Sequence, residues 1–219
     1  MPKRVTFQWI ENCANERLRV AQQCLVDSLT AFDIEPVLYP VGRALVKFAD
    51  VLRFAREHHS GDCFVWANSD VSLVRDPFDL ADRSVVHGFH RTERPSGDIC
   101  YGVDMYMVPN RLWDERLSVD IPDLWCGATH IDWWLTRAAQ LEEKYETHTG
   151  YIDHLSHEPS GASKGSADQH YRHNVREYNA WAARQGAGRY EEHLELPLIG
   201  ASLSPITDYL KRLTGKRKK

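Results

Sequence analysis

The chain has 219 residues, of which 42% are hydrophobic and 26% charged, the proportions of an ordinary globular protein. No apolar run approaches the roughly 20 residues of a membrane-spanning helix. The net charge is −4, but residues 211–219 hold six Lys or Arg and no acid. Residues 1–210 therefore carry 21 basic and 31 acidic side chains, a net charge of −10. This acidic body is a poor electrostatic partner for nucleic acid.

The expected organisation is a single domain over residues 1–210 and a basic, disordered tail over residues 211–219. The tail could contact phosphates, which keeps a nucleic acid or an anionic membrane surface among the partners to be tested. Five cysteines are scattered along the chain, and no pair has the spacing of a metal finger. A reduced, cytoplasmic protein is therefore expected.

The first part of the chain alternates between strand and helix patterns. Apolar residues at helical spacing predict helices at residues 16–32 and 45–58. Apolar runs bounded by turn residues predict strands at residues 4–10, at residues 34–39 and in the run that begins at Phe64. This β-α-β-α-β order favours a parallel sheet with helices on its faces.

The second part of the chain is less regular. Further strands are predicted at residues 84–89, 99–108 and 146–152, and polar loops at residues 90–98 and 157–168. Helices are predicted at residues 109–116, 131–145, 169–184 and 204–213. The expected fold is α/β, a single domain with a mostly parallel central sheet flanked by helices and with a helical C-terminal region.

The most informative stretch is the apolar strand that ends abruptly in Asn68, Ser69 and Asp70. A carboxylate at the end of a buried strand is costly to desolvate unless a cation or a hydrogen-bond donor compensates it. In open α/β sheets, ligands bind at the carboxyl ends of strands. Asp70 is therefore a candidate ligand for a metal or a polar group. Asn and Asp also cap turns, so a purely structural role stays open.

A second polar cluster occupies residues 126–134 (Cys-Gly-Ala-Thr-His-Ile-Asp-Trp-Trp). Asp132 suits either a catalytic role or an acid in the first turn of a helix, which the helix dipole favours. Trp133 and Trp134 suit either stacking on a sugar or packing in the core. The residues alone leave these alternatives open.

A third cluster contains His154 and His157. Either one could share a divalent ion with a distant carboxylate such as Asp70, and mixed oxygen and nitrogen ligands suit manganese better than magnesium. Both could equally be polar loop residues. A zinc hydrolase is weakly supported, because Leu155 and Ser156 stand between the histidines, where the metalloprotease pattern has a Glu.

The order and spacing of these clusters resemble the GT-A class of nucleotide-sugar glycosyltransferases, in particular small bacterial and viral members that carry Asn-Ser-Asp in place of Asp-x-Asp. The likeness extends over residues 4–180. It rests on the motif that ends in Asp70, the strand at residues 102–109, the segment at residues 126–135 and the His-x-x-His element at residues 154–157.

This resemblance implies a donor site built around the first strand and the loop after it. The implied contacts of the nucleotide sugar are Phe7, Gln8, Trp9 and Glu11 for the base and ribose, Arg17 and Lys47 for the diphosphate, and Asn68 and Ser69 beside the metal. Asp70 would bind Mn²⁺ (or Mg²⁺) together with His154 or His157, of which His154 is favoured. Asp132 would bind the acceptor hydroxyl or act as its base.

The implied activity is metal-dependent transfer of a sugar from a nucleoside-diphosphate sugar to a hydroxyl of a saccharide, a lipid-linked glycan, a protein or a modified nucleic-acid base. The loop at residues 160–168 would close over the donor. The alternative is a GT-A-like module that binds a nucleotide or glycan without catalysis, because Asn68 replaces an acidic ligand. A zinc hydrolase built on His154 and His157 is a third interpretation.

Overall fold

The computed structural model describes residues 2–10, 15–41, 46–59, 61–126, 131–155 and 166–187. The strands are β1 (Lys3–Ile10), β2 (Ile34–Val41), β3 (Cys63–Ala67), β4 (Val71–Leu73), β5 (Val86–Arg94), β6 (Ile99–Pro109) and β7 (Tyr145–Leu155). The helices are α1 (Glu16–Ala31), α2 (Phe48–Glu57), α3 (Asn110–Leu112), α4 (Ile131–Leu141) and α5 (Ser166–Arg184). A π-helical turn over Trp113–Leu117 continues α3.

The described strands form one seven-stranded sheet in the order β2-β1-β3-β6-β5-β7-β4. β1 lies parallel to β2 and β3, and β5 lies parallel to β7, whereas the β3–β6, β5–β6 and β4–β7 pairs are antiparallel. The α/β class with a helix-flanked central sheet is confirmed. The sheet is mixed rather than mostly parallel, because the short connection between β5 and β6 can join only antiparallel neighbours.

The centre of the sheet is buried on both faces. All five residues of β3 are buried, and their side chains alternate between two hydrophobic clusters. On one face Val65 packs in a cluster with Leu25 of α1, and on the other Trp66 packs in a cluster with Phe48 of α2 and Trp134 of α4. Fully burying a large apolar side chain contributes about 1.5–3 kcal/mol, so β3 anchors the elements that surround it.

The carboxyl end of β1 is tied to α1. The Asn15 side chain caps the helix by accepting a hydrogen bond from Leu18 N at 3.2 Å. One turn further on, the fully buried Gln22 accepts a hydrogen bond through Oε1 from Ile10 N at 2.9 Å. The carboxyl end of β1 is therefore held in a fixed position relative to α1.

None of the described helices combines the length and the low polarity that a membrane crossing requires.

Several predicted boundaries shift in the structure. The predicted polar loop at residues 90–98 is largely strand, since β5 extends to Arg94. This end of β5 is polar because its side chains form ion pairs, such as Arg91 with Glu93 and Arg94 with Asp153. The strand predicted at residues 146–152 is the longer β7. The predicted helix at residues 204–213 lies outside the described residues, as does most of the predicted loop at residues 157–168, whose last residues begin α5.

Candidate functional site

The turn after β3 presents a carboxylate at the carboxyl edge of the sheet. Asn68, Ser69 and Asp70 are half-buried, although the strand before them is fully buried. The Asn68 backbone N–H donates to the Asp104 carbonyl oxygen at 2.7 Å, which fixes the turn against β6. Asp70 then directly precedes β4. This is the part of an α/β sheet where ligands bind.

Pairing of β4 with β7 brings a histidine to this carboxylate. Val71 lies opposite His154 in the antiparallel register of the two strands. His154 Nε2 lies 3.4 Å from Asp70 Oδ2. The two side chains that the sequence predicted to converge therefore do so, although they come from distant segments.

The other nitrogen of the same imidazole contacts a second carboxylate. His154 Nδ1 lies 2.7 Å from Glu93 Oε2 on β5. Burial by itself would lower the pKa of His154, but the hydrogen bonds with Asp70 and Glu93 outweigh it and raise that pKa. Burial would likewise raise the pKa of Glu93, but His154 and Arg91 lower it. Carboxylates therefore lie at both ring nitrogens of His154, which favours the protonated imidazole.

A half-buried arginine links this group to β6. Arg91 Nε donates to Glu93 Oε1 at 2.6 Å, and Arg91 Nη1 lies 3.1–3.2 Å from both carboxylate oxygens of Asp104. Asp104 is 5% exposed, and its carboxylate also accepts a hydrogen bond from Asn68 Nδ2. Burial raises the pKa of Asp104 despite the opposing effect of Arg91. The guanidinium supplies the cation that this buried carboxylate needs.

Together these side chains form a continuous network, which we call the Asp70 cluster. Its members are Asn68, Asp70, Arg91, Glu93, Asp104 and His154. Within the network, Asn68 acts as a hydrogen-bond donor to a buried carboxylate. At one end of the network, Asp70 Oδ2 and His154 Nε2 are two atoms of the types that can bind a metal ion. Two ligand atoms that share an ion at bonds of about 2.0–2.2 Å lie about 3.0–3.5 Å apart, so their separation fits one divalent cation.

The predicted nucleotide contacts on β1 divide into buried and accessible residues. Phe7 is fully buried and meets Trp9 edge-to-face, with ring centroids 6.3 Å apart. Its ring therefore supports Trp9 and does not reach a ligand, which corrects the expectation of a direct contact. Gln8 and Trp9 are half-buried.

The Gln8 side chain forms a hydrogen bond with the thiol of Cys126. Burial raises the pKa of this thiol to about 12, so Cys126 is unsuited to be a nucleophile.

The two predicted diphosphate contacts differ in their surroundings. Lys47 Nζ lies 2.7 Å from Asp123 Oδ2 and 3.5 Å from the centroid of the Trp125 ring, so a carboxylate already compensates its charge. Arg17 is exposed in the first turn of α1. Contact of either cation with a diphosphate stays a prediction.

The segment that contains Asp132 is described only in part. Asp132 is the second residue of α4, its side chain lies outside the described atoms, and Glu11 and His157 lie outside the described residues. Trp134 is fully buried in the core, and the partly buried Trp133 packs against the same cluster. Core packing is therefore the correct interpretation for Trp134.

Sequence reasoning missed three members of the Asp70 cluster. Arg91 and Glu93 fall in the predicted polar loop, although their spacing is also that of residues on one face of a strand. Asp104 stood in a predicted strand between apolar residues, and a carboxylate in such a run is itself a signal, because it requires a compensating partner. The partner could not be named from sequence, since Arg91 meets Asp104 only through the pairing of β5 with β6.

Comparison with solved structures defines the class of fold. A fragment of S. aureus TarS in complex with UDP-GlcNAc has a TM-score of 0.53 and 8% identity, covering 96% of this chain and 81% of that chain. S. aureus TarS itself has a TM-score of 0.51 and 10% identity, covering 96% of this chain and 49% of that one. The catalytic domain of a Drosophila β1,4-galactosyltransferase 7 in complex with xylobiose has a TM-score of 0.47 and 8% identity, covering 78% and 79%.

The protein shares with the TarS structures a GT-A-like α/β fold, a central sheet flanked by helices. No family model matches the sequence, and no curated protein matches it. The likeness therefore concerns the arrangement of strands and helices. What this chain does with that arrangement has to be argued from its own side chains.

Proposed function

We propose that the protein is a metal-dependent glycosyltransferase that moves a sugar from a nucleoside-diphosphate sugar to an acceptor hydroxyl. The observation that carries the proposal is the approach of Asp70 Oδ2 to His154 Nε2 at 3.4 Å, at the carboxyl edge of the sheet. The TarS fragment of similar fold was solved in complex with UDP-GlcNAc, so this nucleotide sugar is the first donor to test here.

Asp70 and His154 have the donor chemistry for Mn²⁺. One carboxylate oxygen and one imidazole nitrogen make a mixed ligand set, which suits manganese, while phosphate oxygens of the donor and waters would complete the shell. Glu93 holds the remote nitrogen of His154, the arrangement that orients metal-ligating histidines and raises their basicity. Bound there, the ion would offset the charge that develops on the leaving diphosphate.

The protein's own residues would then position the two substrates. In the proposed complex, Trp9 and Gln8 line the nucleotide site, and Asp70 fixes the diphosphate end of the donor through the shared ion. We assign the acceptor hydroxyl to Asp132, which would remove its proton if the enzyme inverts and would only orient it if the enzyme retains. The acceptor itself is a saccharide, a lipid-linked glycan, a protein or a modified nucleic-acid base.

One observation favours a second candidate, a nucleotide-binding or glycan-binding module without catalysis. Asn68 stands where the resembling family has an acid, and its amide is engaged with Asp104. The ion would therefore have fewer anionic ligands from the protein. Turnover separates the two candidates, since a module would bind nucleotide and transfer nothing.

The test of the donor site compares Asp70→Asn with Asp27→Asn. Asp27 is an exposed carboxylate on α1 that contacts Gln23, so its substitution removes the same charge away from the site. Calorimetric titration with UDP-GlcNAc and further nucleotide sugars, with and without Mn²⁺, should show metal-dependent binding that falls on the order of 100-fold in Asp70→Asn and not in Asp27→Asn. Unchanged manganese-dependent affinity in Asp70→Asn would remove Asp70 from the metal site.

The test of the acceptor side uses Asp132→Asn. This variant should keep donor affinity within about twofold. In an inverting enzyme it should also lower the rate of transfer by about 100-fold, because general base catalysis contributes about 10²–10⁴ in rate. Transfer is followed by release of the nucleoside diphosphate in the presence of candidate acceptors. Full activity of Asp132→Asn would exclude it as base, and binding without turnover of any donor in the unsubstituted protein would favour the module.

A further inference from the structure

A second group of metal-ligating side chains lies at the opposite ends of β5 and β7. His87, Glu146 and His148 each offer one ligand atom, and these atoms all lie within 4.8 Å of one another. His87 Nδ1 is 2.9 Å from His148 Nε2 and 3.6 Å from Glu146 Oε2, and His148 Nε2 is 4.0 Å from the same oxygen. Since His87 and Glu93 are six strand residues apart, this group lies roughly 20 Å from the Asp70 cluster.

The backbone selects the tautomer of His87 that can bind a metal. His87 Nε2 lies 2.6 Å from the carbonyl oxygen of Asp82, which can only accept a hydrogen bond. Nε2 must therefore carry a proton, and in the neutral ring Nδ1 has the lone pair that faces His148. A backbone carbonyl on the remote nitrogen is a common way in which proteins orient a metal-ligating imidazole.

Packing also holds the two rings in place. The His87 side chain is 1% exposed, and β5 and β7 are in parallel register at this point, with His87 opposite Glu146. The His148 ring lies among His87, Phe89 and Tyr151, at centroid distances of 5.1, 5.4 and 5.6 Å. Burial and the neighbouring His87 lower the pKa of His148, so its ring is neutral over a wider range of pH.

We propose that His87 Nδ1, His148 Nε2 and a carboxylate oxygen of Glu146 bind one Zn²⁺ ion. Two imidazoles and one carboxylate are a ligand set that suits zinc, with a water molecule in the fourth position. In a tetrahedral site with bonds of about 2.0–2.1 Å, ligand atoms lie about 3.3 Å apart, and the three separations in the cluster bracket that value. The Glu146 side chain is 51% exposed, so an ion can enter from solvent and keep its water.

Without the ion, His148 Nε2–H donates to His87 Nδ1. Binding requires this proton to leave Nε2, either to Nδ1 of the same ring or to solvent. The ion would then join two strands whose ligands lie 61 residues apart in the chain. It would stabilise the end of the sheet opposite the proposed donor site, and its binding does not depend on the proposed transfer activity.

The experiment measures zinc bound to the whole chain after dialysis against a zinc buffer, with metal content per protein determined by atomic emission. One equivalent should bind to the unsubstituted protein. His148→Gln and Glu146→Gln should each weaken binding by at least about tenfold, since even loss of an outer-shell partner costs 10–100-fold in metal affinity. Both are partly exposed and should fold, which a thermal unfolding curve in zinc-free buffer checks.

Two controls separate this site from others. His58→Gln removes an exposed histidine at the end of α2 and should leave zinc binding unchanged. Asp70→Asn should also keep the zinc equivalent. Absence of tight zinc in the unsubstituted protein, retention of zinc by both His148→Gln and Glu146→Gln, or loss of zinc in Asp70→Asn would each overturn the proposal.

Discussion

β5 and β7 run side by side across the sheet, and each end of this pair carries a histidine within reach of a glutamate. At the carboxyl ends, His154 contacts two carboxylates, one of which is Glu93, and its pKa is raised. At the amino ends, His148 lies beside another imidazole, that of His87, and its pKa is lowered. The same residue type on the same strand is therefore given opposite proton affinities by its neighbours.

The difference indicates which ion each end would accept. The carboxyl ends combine carboxylates with the half-buried guanidinium of Arg91, so this network is rich in oxygen atoms and carries charges of both signs. The amino ends supply two nitrogens and one carboxylate and contain no guanidinium in their described hydrogen bonds. Oxygen-rich sites suit Mn²⁺ with phosphates, and nitrogen-rich sites suit Zn²⁺. One pair of strands would thus offer two candidate sites that differ in ligand composition.

The largest effect should come from removing the cation of the Asp70 cluster. Arg91→Met leaves the buried carboxylate of Asp104 without its compensating charge, and breaking a buried ion pair in this way costs about 3–5 kcal/mol in free energy of unfolding. Urea unfolding measures the change. Arg94→Met is the matched control on the same strand, because Arg94 pairs with Asp153 in an exposed ion pair.

The urea midpoint of Arg94→Met should stay close to that of the unsubstituted protein, because exposed ion pairs contribute little to stability. Equal destabilisation by the two substitutions would show that the Arg91 network is no more than a surface ion pair. That result would mean that the charged network is not a distinguishing feature of the carboxyl ends of β5 and β7.

A smaller effect is expected from the carboxylate that orients His154. Glu93→Gln keeps the shape of the side chain but removes the carboxylate that orients the His154 ring through Nδ1, so manganese-dependent donor affinity should fall about tenfold. Calorimetry measures it, with Glu35→Gln as the control, since Glu35 is an exposed carboxylate paired with Arg4. Zinc binding at the amino ends should be unaffected by either variant. A loss of zinc in Glu93→Gln would mean that the two ends are not independent.

The smallest effect is a difference in titration between the two histidines in chelator-treated protein. Imidazole signals followed by NMR against pH should place His154 above the ordinary value of about 6.5 and His148 below it. The raised pKa of His154 stabilises the fold below pH 6.5, and this contribution is lost as the pH rises through that raised pKa. For His148 the sign is opposite, and stability is lost as the pH falls below 6.5 through its lowered pKa. Reversed order of the two titrations would contradict the geometry of both ends.

The sequence alone determined the α/β class, most strands and helices, and the place of Asp70. These features follow from local patterns, because apolar periodicity and the abrupt end of an apolar run can each be read from a few neighbouring residues. The approach of His154 to Asp70 was predicted through resemblance to a known arrangement. The course of β5 was missed, because its polar end resembles a loop when its partners are unknown.

Tertiary structure alone decided which charges meet. Arg91 contacts Asp104 because β5 pairs with β6, and His87 contacts His148 because β5 pairs with β7. Strand order brings distant segments together and leaves no local periodic signal, so neither pairing could be derived from spacing along the chain. The surrounding groups then decided the sign of each pKa shift: hydrogen bonds outweigh burial at His154 and Glu93, whereas burial prevails at Asp104 and His148.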